Sequence, residues 1–497
     1  MSSESGDRVR SSVKVALVAT IVSGIVQATT MVVLARLLEP RDYGFFVVCL
    51  SINALTIAFL MSGIERAMVI EPDEAVLEGR ALPLVLILLV LGAVAVGICA
   101  FIRHMTGWAI DLRVLAIMLG AQALSGVATV PRAMLRKHLS FMRIVTGEVV
   151  GQVCGNLLTA AALAVLGFGV FSLTAGFAVG LSVSTLFVLT ALPRSLRGFK
   201  IVGLSSLAHT AGGVFKPASV EALNGQISPL VVSSLLGPIS LGLFNRVYTI
   251  VTLPVQLMVS SLNRVMISAL VSVSADLERR RRGTNLMLRM AAALITPLTF
   301  GIAASGPAFV ATMLGPKWAS AAMIIPFLAV AVWANMIAAL LGQLAESVRR
   351  FNEKTKIQFI STAVLVGALL VGSMGGMTGI AIGVMISALF LAALYIRLAA
   401  TIIEVPVKML LIWLVPGVIA GIACASAALI VAALLTKAAP PFVLSGQIAA
   451  SGAAAIMSYL ILDRVLICEI SRTLMPRAID RIIQRQLSPR VQVDRSA

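Results

Sequence analysis

Asparagine, glutamine and glutamate side chains recur at helical spacing inside long apolar segments of this chain. Spacings of three, four and seven residues place each group on one face of a helix. In hydrocarbon, unsatisfied amides and carboxylates cost several kcal/mol each, so these faces are expected to line a polar cavity or to join packed helices. The four groups are Thr20, Ser23, Gln27 and Thr30; Glu148, Gln152, Asn156 and Thr159; Glu221, Asn224 and Ser228; and Asn245, Thr249, Thr252, Gln256, Ser260 and Asn263.

Two charged residues lie deep in apolar segments. Glu221 and Arg246 are each about eight residues from a segment end, which is about 12 Å at 1.5 Å per residue. A charge inside a membrane marks a functional site by default. Arg246 is therefore expected to contact an anion in the cavity, the alternative being a buried pair with Glu221. Glu221 and Glu148 are the candidates for coupling to a proton or sodium ion.

Motifs for catalysis, metal binding and nucleotide hydrolysis are missing from the sequence. It has no Gly-x-x-x-x-Gly-Lys, His-Glu-x-x-His or Gly-x-Ser-x-Gly segment, its five cysteines form no Cys-x-x-Cys pair, and its three histidines lie between apolar segments. We expect no catalytic residue, no metal and no cofactor. The chemistry predicted is noncovalent binding of a polar molecule.

The polar faces must be positioned by membrane helices, because composition excludes a soluble enzyme. Hydrophobic residues make up 59% of the 497 residues and charged residues 12%, with a mean hydropathy of +1.02. We expect an all-α polytopic membrane protein of about 14 transmembrane helices. The predicted spans are 15–35, 43–63, 81–102, 113–131, 144–166, 169–191, 213–235, 238–262, 286–308, 319–342, 357–374, 377–396, 409–433 and 443–462.

The net charge of +18 has a topological explanation. With fourteen spans and both termini cytoplasmic, 31 of the 39 Lys and Arg residues lie inside and six outside, as the positive-inside rule requires. The run Arg279–Arg282 is accordingly interpreted as an anchor to anionic membrane lipids, and no nucleic-acid partner is expected. The short outside loops leave no room for the domain that a membrane glycosyltransferase or polymerase needs.

The sequence repeats at an offset of 198 residues. Residues 37–46 read LLEPRDYGFF and residues 235–244 read LLGPISLGLF, and Arg66 falls on Arg264 in the same register. Six spans separate the copies, so the halves are predicted to be two parallel six-helix lobes around a central cavity, followed by two extra C-terminal helices. The expected units are an N-lobe (1–192), a cytoplasmic linker (193–212), a C-lobe (213–400), spans 13 and 14 (401–463) and a basic cytoplasmic tail (464–497).

Three stretches of the sequence carry a family resemblance: residues 35–69, residues 244–276, and the Gly-Pro-Lys-Trp element at 315–318. They resemble the bacterial polysaccharide flippases, a family of the multidrug, oligosaccharidyl-lipid and polysaccharide exporter superfamily. The resemblance covers most of residues 13–400. Ser268 stands where the family usually has proline, so we expect span 8 to be less bent at its end.

The resemblance implies movement of undecaprenyl-pyrophosphate-linked oligosaccharide across the bacterial inner membrane, for exopolysaccharide, capsule or lipopolysaccharide synthesis. It implies alternating access of the two lobes, and partners among the polysaccharide polymerase and export machinery. Arginine binds phosphate in bidentate fashion and amides suit sugar hydroxyls. The expected substrate-binding residues are Arg246, Arg66, Arg264, Gln27, Asn224, Asn245, Gln256 and Asn263. The alternatives are an ion-coupled multidrug exporter of the same superfamily and a membrane glycosyltransferase or polymerase.

Overall fold

In the part of the chain that it describes, the computed structural model consists of helices and their connections. It describes residues 22–70, 81–108, 110–137, 141–190, 205–271, 277–436 and 438–462, without the side chains of 58–70, 81–85, 130, 133, 136, 137, 141, 205–222, 260–271, 461 and 462. The helices are α1 (Val22–Leu37), α2 (Pro40–Ile70), α3 (Ala81–Thr106), α4 (Leu112–Ser125), α5 (Thr129–Lys137), α6 (Phe141–Gly151), α7 (Ala160–Val165), α8 (Val170–Thr190), α9 (Ser205–Val271), α10 (Leu277–Phe309), α11 (Ile325–Ser347), α12 (Phe351–Ser373), α13 (Gly376–Ile403), α14 (Val407–Leu434) and α15 (Pro440–Leu462). A π-helix over Gln152–Thr159 joins α6 to α7, and a 3₁₀ segment over Pro316–Ile324 leads into α11.

The helices are long and apolar enough for a membrane. Ten helices of the described part qualify as spans, with two shorter apolar helices, Val22–Leu37 and Leu112–Ala128, beside them. One of the ten contains Gly237, whose φ of 79° is not helical and divides α9 into two helical halves. Glycine adopts this conformation without a Cβ clash. The spans predicted at 213–235 and 238–262 flank that break. The all-α polytopic fold is thereby confirmed, while the total of fourteen spans stays a prediction.

The share of each span that is buried differs widely between helices. Only 17% of the α3 span and 11% of the α15 span are buried, against 61% for Leu277–Leu314 and for Pro316–Ser347. The α14 span is 28% buried. Spans 3, 13 and 14 carry no polar face in the sequence, and their exposure fits a lipid-facing position.

The halves of the chain cross at two glycines. A Cβ atom added to Gly44 would lie 1.7 Å from the Pro238 carbonyl oxygen, and one added to Gly242 would lie 1.9 Å from the Pro40 carbonyl oxygen. Only glycine lets the two backbones approach this closely. We call these four residues the glycine crossing. Because Pro40 matches Pro238 and Gly44 matches Gly242 at the offset of 198, the crossing is the reciprocal contact that a twofold relation between parallel halves requires.

Two tryptophans extend this reciprocity. Trp318, ahead of α11, donates its indole N–H to the Ala35 carbonyl at 2.8 Å, and Trp108, ahead of α4, donates to the Ser233 hydroxyl at 3.1 Å. Residues 35 and 233 are again 198 apart. Each half thus reaches from the connection before its fourth span to the first span of the other half. We call this side of the molecule the Pro40 end, and the opposite side, with residues 348–350, the Lys354 end.

The two additional helices are attached to α10. A Cβ atom added to Gly417 of α14 would lie 2.5 Å from the Ala292 carbonyl carbon, and Tyr459 of α15 donates its hydroxyl to the Ala293 carbonyl at 2.7 Å. Small residues permit such close helix packing in membranes, where the hydrophobic effect does not drive association. These contacts tie α14 and α15 to the second half of the chain.

Arg281, within the run at 279–282, binds the end of a neighbouring helix. Arg281 donates to the carbonyl oxygens of Ile403 at 2.8 Å and Glu404 at 3.0 Å, at the C-terminal end of α13. A cation there satisfies orphan carbonyls and complements the helix dipole. Its neighbour Arg282 is 81% exposed and pairs with Glu278. The role of the run as a lipid anchor stays a prediction.

Candidate functional site

A cavity of about 840 Å³ lies among α2, both halves of α9, α11, α12 and α13. Ligand sites are commonly 300–1,000 Å³, so a head group of several rings fits such a volume. Amides, hydroxyls and one charged pair are interspersed with apolar side chains on its wall. The polar lining residues are Ser51, Asn224, Gln226, Ser228, Asn245, Tyr248, Asn335, Gln343, Glu346, Lys354, Gln358, Ser361, Ser387 and Tyr395.

An ion pair stands on the cavity wall near the Lys354 end. The Lys354 ammonium lies 2.5 Å from the Glu346 carboxylate, with side chains that are 9% and 44% exposed. Lys354 belongs to the first turn of α12, where the helix dipole disfavours a cation, and Glu346 belongs to the last turn of α11, where it disfavours an anion. Both charges therefore depend on partners outside their own helices.

Two further polar groups of α12 face the cavity beside Lys354. Gln358 is 6% exposed and Ser361 is 3% exposed, and neither the Gln358 Oε1 atom nor the Ser361 hydroxyl has a hydrogen-bond partner among the described residues. Residues 354, 358 and 361 are spaced by four and three, so they form one face of α12. A buried polar atom without a partner is costly, and a bound ligand or water would satisfy it.

The predicted residue Asn224 lines the cavity and holds two helices together. Its side-chain oxygen accepts a hydrogen bond from the Thr362 hydroxyl at 2.8 Å, and its amide donates to the Gln358 carbonyl at 3.5 Å. Asn245 also lines the cavity. Of the predicted binding residues whose side chains the structure describes, these two lie on the cavity wall.

Arg246 of α9 lies against α2 at the Pro40 end. It is 8% exposed, and its guanidinium carbon stands 3.6 Å from the centre of the Tyr43 ring. Tyr43 packs edge-on against Trp318, with ring centres 5.5 Å apart. Among the described residues no carboxylate pairs with Arg246, and its Nε atom has no hydrogen-bond partner. It does not appear on the cavity wall.

The other predicted residues lie elsewhere. Gln27, Glu148 and Gln256 are exposed, and the faces of spans 1 and 5 meet where Ser23 donates to Gln152 at 2.8 Å. The side chains of Arg66, Arg264, Asn263 and Glu221 lie outside the described residues, so their predicted roles stay predictions. In the described part no group of three or more His, Cys, Asp or Glu residues could hold a metal ion.

Sequence reasoning missed Lys354 and Glu346. The predicted spans end at 342 and begin again at 357, which places both residues in an inside connection, whereas α11 continues to Ser347 and α12 begins at Phe351. The signal was present in the spacing of Lys354, Gln358 and Ser361, which matches that of the polar faces on the other spans. Because α12 extends beyond its most apolar segment, Lys354 belongs to the helix and lies on the cavity wall.

Comparison with known proteins identifies the family. The family model described as "Polysaccharide biosynthesis protein" matches residues 33–323, more than half of the chain. The chain belongs to this family. That range contains the glycine crossing, Arg246 and Trp318, and the resemblance to the polysaccharide flippases found in the sequence is confirmed.

Individual relatives are distant but consistent. The chain is 23% identical over 309 residues to the succinoglycan biosynthesis transport protein ExoT of Rhizobium meliloti, covering 60% of this chain and 61% of that one. It is 23% identical over 380 residues to the lipopolysaccharide biosynthesis protein WzxC of Escherichia coli, covering 74% and 75%. The match to ExoT thus spans about three fifths of that protein.

Solved structures show the same fold. The lipid II flippase MurJ in an inward closed conformation superposes with a TM-score of 0.73 at 15% identity, covering 90% of this chain and 99% of that one. An inward-facing multidrug resistance transporter of the MATE family gives a TM-score of 0.59 at 15% identity, covering 78% and 96%. At this identity the likeness establishes the fold alone.

Proposed function

We propose that this protein moves an undecaprenyl-pyrophosphate-linked oligosaccharide from the inner to the outer leaflet of the bacterial inner membrane. The observation that carries the proposal is the amide-rich cavity of about 840 Å³, placed beside a helix crossing that joins the lobes at one end. Sugar hydroxyls match amide and hydroxyl groups, while a lipid tail remains in the bilayer. The names of ExoT and WzxC, a transport protein and a lipopolysaccharide biosynthesis protein, agree with such a substrate.

Alternating access is the mechanism that this geometry favours. The Pro40 end is joined by the glycine crossing and the tryptophan contacts, and it is the outer end if the inside basic residues set the topology. We propose that the cavity receives the head group from the cytoplasmic Lys354 end and releases it when the Pro40 end opens. No covalent step is required, which suits a transporter rather than an enzyme.

Arg246 is proposed to contact the pyrophosphate once the Pro40 end opens. Its guanidinium is occupied by the Tyr43 ring while the lobes touch, and its donors have no carboxylate among the described residues. A buried guanidinium in a low-dielectric site binds an anion strongly. Separation of the lobes would remove Tyr43 and expose those donors to the substrate. Arg66 and Arg264 remain the proposed entry contacts, and Glu148 and Glu221 the proposed coupling residues.

The test is transbilayer movement in proteoliposomes. Lipid-linked oligosaccharide is extracted from a strain that lacks this chain, reconstituted with the purified protein, and oxidised with membrane-impermeant periodate. Without movement about half of the sugar is protected in the inner leaflet. We expect wild-type protein to remove most of that protection.

A cavity-filling variant and a matched control make the test specific. Ser228→Trp fills the cavity, and Ser445→Trp places the same side chain at an exposed position of α15. The first should restore protection and the second should not. Protection of half of the sugar with wild-type protein would refute the proposal, and export of a cationic dye by the same vesicles would favour the multidrug exporter.

A further inference from the structure

Asn285 and Arg289 of α10 each bury a polar atom that no described residue satisfies. The Asn285 Oδ1 atom and the Arg289 Nε atom are buried without a hydrogen-bond partner, and no carboxylate of the described residues forms an ion pair with Arg289. The two residues are four apart, so their side chains are neighbours on one face of the helix. Buried polar atoms of this kind are costly unless a ligand or water satisfies them. We call these two residues the α10 polar pair.

The face that carries the pair is directed at the seam between α14 and α15. Ala292, one turn further along α10, lies against Gly417 of α14, and the Ala293 carbonyl accepts the hydrogen bond from Tyr459 of α15. With 3.6 residues per turn, Arg289 lies between the directions of Ala292 and Ala293 around the helix. The guanidinium is therefore placed where the two additional helices meet α10.

The pair also lies at the depth of lipid head groups. The predicted span of α10 begins at residue 286, so Arg289 is about one turn inside the membrane boundary. Side chains of a helix lean toward its N-terminus, and a long guanidinium side chain reaches from apolar surroundings to the interface. The N-terminus of α10 is at the Lys354 end, because Arg281 binds the carbonyl oxygens at the end of α13 there.

The helices that flank the seam can be covered by acyl chains. Ile412 of α14 is 53% exposed and Leu460 of α15 is 57% exposed. Both belong to the parts of these helices near Gly417 and Tyr459. A molecule whose phosphate lies at the polar pair can therefore keep its apolar chains in the bilayer.

The chemistry of the pair and the charges around it favour one class of lipid. The guanidinium donates hydrogen bonds and suits a phosphodiester, whereas the amide oxygen accepts and needs a donor such as a hydroxyl. The run at 279–282 and Lys408 outnumber the acidic residues Glu278 and Glu404 at this end of α10 and α14. A lipid of net negative charge gains more from these cations than a zwitterionic one. Phosphatidylglycerol has the phosphodiester, the hydroxyl and the negative charge.

We propose that the α10 polar pair binds the head group of one phosphatidylglycerol molecule from the leaflet at the Lys354 end. The Arg289 guanidinium binds the phosphodiester, and the Asn285 Oδ1 atom accepts a hydrogen bond from a head-group hydroxyl. The site is separate from the cavity and does not depend on the proposed function. It differs from the general anchor predicted for the run at 279–282, because it holds a single lipid in the seam and joins α10 to α14 and α15.

Lipid titrations of the purified full chain, read by native mass spectrometry, test the phosphate contact. Wild-type protein should retain one phosphatidylglycerol molecule in preference to phosphatidylethanolamine of the same chain length. Arg289→Gln should weaken that retention about tenfold or more, since a charge-assisted hydrogen bond is lost. Arg282→Gln removes the same charge from a side chain that is 81% exposed on the same helix, and it should leave retention unchanged.

A second probe tests the hydroxyl contact. Phosphatidylmethanol has the charge of phosphatidylglycerol but no head-group hydroxyl. Wild-type protein should bind phosphatidylglycerol more tightly than phosphatidylmethanol, and Asn285→Leu should remove that difference because the acceptor is gone. A difference that persists in Asn285→Leu would refute the role of Asn285.

Thermal unfolding separates a lipid site from a purely structural arginine. Under the proposal, added phosphatidylglycerol raises the unfolding temperature of wild-type protein and of Arg289→Lys, which keeps the charge, more than that of Arg289→Gln. If Arg289 only supported folding, Arg289→Gln would be destabilised by the same amount with and without the lipid. Wild-type retention by Arg289→Gln, an equal loss in Arg282→Gln, or equal binding of phosphatidylethanolamine would overturn the inference.

Discussion

Replacing Gly242 by Ala tests whether the glycine crossing holds the lobes together at the Pro40 end. The new Cβ atom would lie 1.9 Å from the Pro40 carbonyl oxygen, whereas carbon and oxygen in the closest backbone contacts stay about 3.3 Å apart. The two helices must therefore separate by more than about 1 Å. The stack of Arg246 on Tyr43 and the Trp318 hydrogen bond lie in the same interface and would be lost.

The size of the effect follows from those contacts. A desolvated cation–π pair is worth about 2 kcal/mol and a hydrogen bond about 1 kcal/mol. Losing about 3 kcal/mol shifts the balance between a joined and an open Pro40 end by a factor of more than about a hundred. If the Pro40 end of the wild-type protein is nearly always joined, the Pro40 end of the Gly242→Ala variant would be open for a substantial part of the time.

Cysteine accessibility measures that shift. In a variant whose native cysteines are replaced, Ser228→Cys places a thiol on the cavity wall. A membrane-impermeant maleimide added to the outside should label it much faster after Gly242→Ala. Gly367→Ala is the matched control, because nothing lies within 4 Å of its Cβ position, and it should leave labelling unchanged. Unchanged labelling and normal export in a folded Gly242→Ala protein would refute the reasoning.

Three more predictions concern the interface and its charges. Trp318→Phe removes the donor to the Ala35 carbonyl while keeping most of the packing, so we expect outside labelling of the same thiol to rise by about tenfold or less, as the loss of one hydrogen bond implies. Arg246→Ala should abolish export while the protein level is kept, because a central arginine costs about 2.5–3.5 kcal/mol on insertion scales and its removal does not hinder insertion. Pulse labelling measures the protein level. A protein level that falls together with export would mean that Arg246 only supports folding. The double change Arg66→Lys and Arg264→Lys should impair export, because lysine lacks the guanidinium fork; full polymer export by this variant would reject the entry role.

The helices were predictable because hydropathy and length alone determine which segments cross a membrane. Predicted span limits lie within a few residues of α3, α8 and α15, where the apolar segment coincides with the helix. They fail at α12, which continues toward its N-terminus through polar residues as far as Phe351. The length of α12 depends on its contacts with neighbouring helices, and the hydropathy of its own sequence contains no information about those contacts.

The candidate site was less predictable for a related reason. Spacing identifies which residues of one helix share a face, and two residues of the predicted faces, Asn224 and Asn245, lie on the cavity wall. It cannot say which neighbour that face meets. Arg246 was expected to face the cavity or Glu221, but it stacks on Tyr43, a contact between residues 203 positions apart that no periodicity encodes.

The twofold relation in the backbone is not matched by the electrostatics of the interface. The positions equivalent to Tyr43 and Arg246 at the offset of 198 are Leu241 and Val48, and both are fully buried apolar residues. One side of the pseudo-symmetric interface therefore carries a guanidinium and a phenol, and the other carries only hydrocarbon. If the halves arose from one ancestral copy, shape was retained while charge diverged. If the two helices separate at this interface, an anion between them would meet a cation on one side and only hydrocarbon on the other.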